Sequence, residues 1–247
     1  MSKHPFKTEA ELCAAYIEFA QRGGNWTAYP ETADWDILLV RDSDGFQVGV
    51  QAKMAFNMKV LAQAVEGGNC SYREAGPDCR AVLVPTAPEG AGIVCDALGL
   101  SLIRFVVRGH YDSKPSFSPD LPGGRTQSWP VGRDWPEWSP QKRHKLPDYV
   151  PDVAAGAAAP VQLTKWKVCA LKMLALLHLR GHVTRADFKA IGIDARRWIS
   201  PPAGYLDPAD GGRWVASGRL PDFEAQHPVV FPQVLAEMAA QLGKELA

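Results

Sequence analysis

Three polar residues stand in otherwise apolar stretches: Asp36 in DWDILLVRD (34–42), and Gln51 and Lys53 in FQVGVQAKM (46–54). Both stretches read as strands, and Asp42-Ser43-Asp44-Gly45 between them is a strong hairpin turn signal. With Asp42 facing Gly45 across the turn, the register sets Asp36 opposite Gln51, with Cβ atoms about 4.5–5.5 Å apart. Lys53 lies two residues past Gln51 and so shares its face. A carboxylate, an amide and an ammonium group thus converge among Ile37, Leu38, Leu39, Val48 and Val50. A buried carboxylate is costly without a partner. The pattern therefore calls for a metal ion, another cation or access to solvent. Two alternatives stay open: a plain cross-strand ion pair between Asp36 and Lys53, and a β-bulge that would shift the register by one and remove the pairing.

The elements that would position these groups are legible. TEAELCAAYIEFAQ (8–21) repeats apolar residues at helical spacing, with Leu12, Ala15, Tyr16 and Phe19, and Arg22-Gly23-Gly24 ends it. NWTAYP (25–30) reads as a short strand ahead of the hairpin, AFNMKVLAQAVEG (55–67) as a helix and CRAVLVP (79–85) as a buried strand. Residues 88–98 read as a helix and SLIRFVV (101–107) as a strand. The order is α-β-β-β-α-β-α-β. A strand–helix–strand passage from 46 to 85 implies a parallel pairing, hence a mixed sheet covered by helices.

Residues 109–160 hold nine of the twenty prolines and end in DVAAGAAAP. Proline neither donates to a ladder nor continues a helix, so this stretch reads as a linker or an irregular wrap. Trp129, Trp135 and Trp138 imply that its middle docks on the chain's own domains. Beyond it, 164–180 reads as a helix. Thr184 and Asp187 form a capping-box pattern opening a second helix. Asp194-Ala-Arg-Arg-Trp198 opens a third, Gly211-Gly212 centres a hairpin, and 229–246 closes as a helix. Three helices and a hairpin are what a winged helix-turn-helix gives. The expected division is 1–108, a linker 109–160, and 161–247.

Formal net charge is zero, but residues 161–200 carry eight basic and two acidic groups. Such a block is what a nucleic acid would meet, with Lys189, Arg196 and Arg197 on the presumed second and third helices as phosphate contacts. The five cysteines include no CxxC pair and are odd in number, which argues against a disulfide framework and a structural zinc site and fits a reducing compartment. MSKHPFKTEAEL lacks the apolar core of a signal peptide, and no run approaches about 18 apolar residues. The expectation is a cytoplasmic protein without a membrane partner. His178 and His182 stand at metal-pair spacing, but Gly181 ends the helix between them and no third ligand is evident.

Over residues 8–107 the chain resembles the PD-(D/E)xK nuclease superfamily, whose core is α-β-β-β-α-β, with an acid on the second strand and D/E-x-K on the third. Here the matching residues are Asp36 and then Gln51-Ala52-Lys53, a QxK variant that resembles the Mrr-like branch of restriction nucleases. The resemblance implies a mixed-sheet nuclease core joined to a small winged-helix-like domain. It implies Mg²⁺ or Mn²⁺ as cofactor, held by Asp36 and Gln51 with Glu11 (or Glu18) from the first helix and Glu31 or Asp34 before the second strand. An amide oxygen can ligate a hard cation, with less charge than a carboxylate. The cation would polarise a phosphodiester and lower the pKa of a bound water. Lys53 would orient that water or stabilise the developing charge. Gln63 would turn toward the phosphate backbone. The implied partner is DNA, with a homodimer as a second possibility. Two other functions stay open: a DNA-binding protein on a nuclease fold that has lost catalysis, supported by Gln51, and a phage or plasmid interaction protein using the Trp-rich segment.

Overall fold

The computed structural model describes residues 4–66, 75–106, 115–123, 134–156 and 163–245. The chain divides into two compact units, residues 1–160 and 161–247.

In the first unit the elements run α1 (Glu9–Gln21), β1 (Trp26–Thr32), β2 (Trp35–Arg41), β3 (Gln47–Ala52), α2 (Met58–Glu66), β4 (Cys79–Val84), α3 (Ala91–Ala97), β5 (Ser101–Val106) and β6 (Ser116–Ser118). Thr8 caps α1 by accepting the Glu11 N–H on its side chain, a bond that satisfies one of the helix's orphan donors. The six strands form one mixed sheet in chain order. β1–β2–β3 are antiparallel, β3–β4–β5 parallel, and β6 returns antiparallel to β5. Every residue of β3 and β4 is buried, the signature of strands covered on both faces. Leu12 and Tyr16 of α1 pack on Ile37, Leu39, Val48, Val50 and Leu83 on one face. Val60 and Leu61 of α2 pack with Trp35, Leu38, Val40 and Val82 on the other.

Of the two readings of 109–160, the described residues follow the irregular wrap rather than the linker. Ser116–Ser118 is a sheet strand, and Leu121, Trp135 and Ala155 lie in the core on the α1 face. Trp138 packs on the α2 face, with the Arg80 guanidinium 4.1 Å from its ring. Arg143 bonds Asp78 and the Asp44 carbonyl. Proline density marked irregular backbone correctly, but the tryptophans bury that backbone against the sheet. Trp129 and Cys70 lie outside the described residues; the other four cysteines are free thiols.

In the second unit α4 (Lys165–Arg180) leads to β7 (Val183–Thr184), α5 (Arg185–Ile191), α6 (Arg196–Ile199), β8 (Leu206–Ala209), β9 (Arg213–Ala216), α7 (Phe223–Gln226) and α8 (Val230–Glu245). The small sheet is antiparallel in the order β7-β9-β8. Gly211 and Gly212 turn its hairpin, both at positive φ. The Thr184–Asp187 capping box forms as the sequence implied. Trp198 is fully buried and meets Phe188, Tyr205 and Phe223. Among the described residues no helix is long and apolar enough to cross a membrane.

Candidate active site

The β2–β3 ladder has the expected register: Ile37 with Val50, Leu38 with Gly49, Leu39 with Val48 and Val40 with Gln47. At the open end of the hairpin, however, the side chains part. The Asp36 Oδ2 accepts the Ala52 N–H at 2.7 Å, and the Gln51 Nε2 donates to the Asp34 carbonyl at 2.7 Å. The expected convergence of Asp36, Gln51 and Lys53 on one face is therefore corrected: Asp36 and Lys53 share a site, and Gln51 lines a cavity on the α2 side.

Trp35 is the physical reason. Its indole packs with Leu38 and Val40 on the α2 face, whereas Ile37 and Leu39 face α1. Strict alternation thus fails between residues 35 and 37, and Asp36 turns to the α1 side. Gly49 makes room for the ring: a Cβ there would lie 2.4 Å from the Trp35 Cε2. The turn before it is unusual as well. Ala33 and Asp34 both have positive φ, as a two-residue type I′ hairpin demands, and Glu31 sits at φ 47. Non-glycine residues in this region are strained, and such strain clusters at functional sites.

On the α1 side Lys53, just past β3, extends Nζ to the Glu9 Oε2 at 2.6 Å. Glu9, not Glu11, is the first-helix acid at the site. It stands three and four residues before Leu12 and Cys13, both on the buried face of α1. The Glu11 carboxylate instead accepts the Lys7 N–H, and Glu18 pairs with Arg22 at the surface. The helical spacing that marked Leu12 and Tyr16 as buried already placed Glu9 on that face and Glu11 off it. Glu31 joins the group; its Oε1 accepts the Gly156 N–H at 2.7 Å. Gly156 has φ 71, and a Cβ there would come within 3.1 Å of the Cys13 Sγ and 3.2 Å of Glu9. Gly156, 125 residues after Glu31, thus seals the start of α1, a contact no local pattern announces.

Asp36 and Glu31 are held above their ordinary range. Burial raises Asp36, and Glu9 adds to it, against the lowering by the Ala52 N–H and by Lys53. Burial likewise raises Glu31, with Asp36 adding to it, against the Gly156 N–H and Lys53. Hard oxygen donors of this kind suit Mg²⁺ or Mn²⁺. Each acid is nonetheless turned to a different protein partner. Among the described residues no three His, Cys, Asp or Glu side chains are gathered tightly enough to hold a metal ion. The donor set fits a cation in kind, then, and would have to exchange these partners to enclose one.

Across the sheet, Gln51 lines a cavity of about 300 Å³ with Trp35, Gln63, Glu66, Arg80 and His144. Gln63, expected to meet a phosphate backbone beside Asp36, lies with Gln51 instead. The His178/His182 pair does not form: His178 meets Phe231 edge to face and approaches Glu224, and the His182 Nδ1 meets the Arg180 carbonyl. In the basic block Arg196 is paired with Asp194, and Arg180 with Asp187. Lys189 is exposed, Arg197 lies 5.6 Å from the Trp166 ring, and Arg185 lies 5.7 Å from Trp214. No family model, curated protein or solved structure matches this chain.

Proposed function

We propose that the chain is a metal-dependent DNA endonuclease, with a PD-(D/E)xK-like core in the first unit and a winged-helix-like DNA-binding domain in the second. The observation that carries this reading is the joint placement of Asp36, Glu31, Glu9 and Lys53 beside α1, at the junction of three antiparallel strands. The order α-β-β-β-α-β supports the core, and the sequence α4-β7-α5-α6-β8-β9 with strand order β7-β9-β8 supports the winged helix.

Asp36 and Glu31, with Glu9 completing the set, are the groups that would hold Mg²⁺ or Mn²⁺. The cation supplies charge to polarise a phosphate and acidify a water. Three carboxylates face one ammonium here, so a divalent cation would relieve their mutual repulsion and release Lys53 from Glu9. Freed, Lys53 would stabilise negative charge on the scissile phosphate. Gln51 has no part in this set. Arg185, Lys189 and Arg197 would grip phosphates without reading sequence. Arg196 serves less, because Asp194 already neutralises it.

Two observations favour a second reading, a DNA-binding protein without cleavage: Gln51 faces away and Lys53 is taken by Glu9. A supercoiled-plasmid assay decides between them. With Mg²⁺ or Mn²⁺ the wild-type protein should nick or linearise the plasmid and Lys53→Ala should not. Wild-type protein that retards DNA but never cuts it overturns the nuclease reading.

A further inference from the structure

The cavity on the α2 side has lining chemistry that the carboxylate site does not use. Gln51 is only 5% exposed, and its Nε2 is fixed on the Asp34 carbonyl, which directs the amide oxygen away from that bond. Gln63 has a buried Oε1 that accepts no hydrogen bond, a state that disfavours the empty pocket. Glu66 adds a carboxylate at the rim. Among the described residues the lining holds one guanidinium, that of Arg80. Arg80 donates to the Ala64 and Val65 carbonyls and stacks on Trp138, forming a flat wall beside Trp35. The Trp35 indole N–H donates to the His144 Nε2 at 3.3 Å. Among the described residues the lining therefore offers acceptors between planar groups, beside a guanidinium whose Nη1 donates to backbone oxygens. Acceptors set between planar groups suit a flat ligand that carries N–H donors. A cavity of about 300 Å³ is at the small end of ligand pockets.

We infer that this cavity receives an amino-bearing nucleobase, with Gln51, Gln63 and Glu66 accepting from its N–H groups. The inference rests on the DNA-acting reading above. Enzymes that take a base out of a duplex hold it in a snug pocket by hydrogen bonds to its edge, and glutamine is a recurrent partner of the adenine amino group. The position fits: Gln51 adjoins Ala52, whose N–H holds Asp36, so cavity and carboxylate site lie back to back at the same end of β2 and β3. A base in the cavity would fix which phosphate reaches the other side. The same chemistry belongs to a free nucleoside, and the test separates the two sources.

The probes are the full-length protein, the four free deoxynucleosides, and duplexes carrying 2-aminopurine at single positions. Calorimetry with nucleosides should show binding of deoxyadenosine or deoxycytidine and none of thymidine. Gln63→Leu should weaken it about tenfold, the factor for one lost hydrogen bond. With duplexes, 2-aminopurine fluorescence should rise on binding in wild type and not in Gln63→Leu, while gel-shift affinity changes little. Nucleoside binding without a fluorescence rise assigns the cavity to a free ligand. Gln63→Glu, checked by circular dichroism, serves if the leucine variant does not fold; it keeps an acceptor and should keep binding. Absence of both nucleoside binding and a fluorescence rise overturns the inference. The nuclease reading is judged separately, by plasmid cleavage.

Discussion

Asp36 and Asp187 are both partly buried aspartates with backbone N–H partners, yet their surroundings drive them in opposite directions. Burial works against Asp187 as it does against Asp36. At Asp187, however, the Arg180 guanidinium and the hydroxyl and N–H of Thr184 outweigh it, and the carboxyl is held below its ordinary range. At Asp36 a single N–H and the nearby Lys53 do not offset burial and Glu9, and the carboxyl is held above it. The first aspartate stabilises a helix start. The second, with Glu31, is disfavoured in its charged form, and Lys53 offsets only part of that. A raised carboxylate with a charged neighbour is a mark of a functional site. A satisfied one is a mark of architecture.

The sharpest break of this comparison is chemical. Glu9→Gln and Lys53→Ala should each lower plasmid cleavage by about 10²–10³-fold, the scale of losing one charge-stabilising group. Glu11→Gln, two residues along the same helix, should leave cleavage unchanged, and equal loss in the Glu9 and Glu11 variants would place the site elsewhere.

Next in size is Gly49→Ala. The new Cβ would overlap the Trp35 ring, and overpacking of this kind costs about 1–3 kcal/mol. Urea denaturation should show a lower midpoint; an unchanged midpoint would mean that Trp35 does not hold Asp36 and Gln51 on opposite sides.

Asp187→Ala should cost about 1–2 kcal/mol, the worth of a helix cap, read by hydrogen exchange at residues 183–191 in the full chain. Because the native pKa of Asp187 is depressed, its contribution is present above the ordinary carboxylate value and fades as pH falls through the native one. The difference between wild type and variant should therefore close on acidification.

The smallest effect has the opposite sign. A raised pKa means that the folded state binds the proton more tightly, so stability falls as pH rises past the ordinary carboxylate value. Asp36→Asn keeps an acceptor for the Ala52 N–H and removes that penalty. Its melting temperature at neutral pH should exceed that of wild type without divalent cation, and a decrease would show Asp36 to be an ordinary ion-pair partner of Lys53.

Much of this was legible in the residues. The β2–β3 register followed from Asp42-Ser-Asp-Gly45, the order of strands and helices from periodicity, and the capping box from Thr184 and Asp187. Glu11 and Glu18 turn away from Lys53, and the helical spacing already favoured Glu9 on that face. The side on which Asp36 falls was not legible, because it depends on an indole crossing to a glycine fourteen residues away. Nor was the Glu31–Gly156 bond, which joins residues 125 apart. Binary patterning gives faces; it does not give the exceptions that a bulky ring or a tight turn imposes.

The central claim is that Asp36, Glu31 and Glu9 form a cation site. Isothermal titration of Mn²⁺ into metal-free full-length protein tests it most directly. One Mn²⁺ per chain should bind wild type and not Asp36→Asn, with Glu11→Gln indistinguishable from wild type. No binding to wild type, or equal binding to wild type and Asp36→Asn, would contradict it.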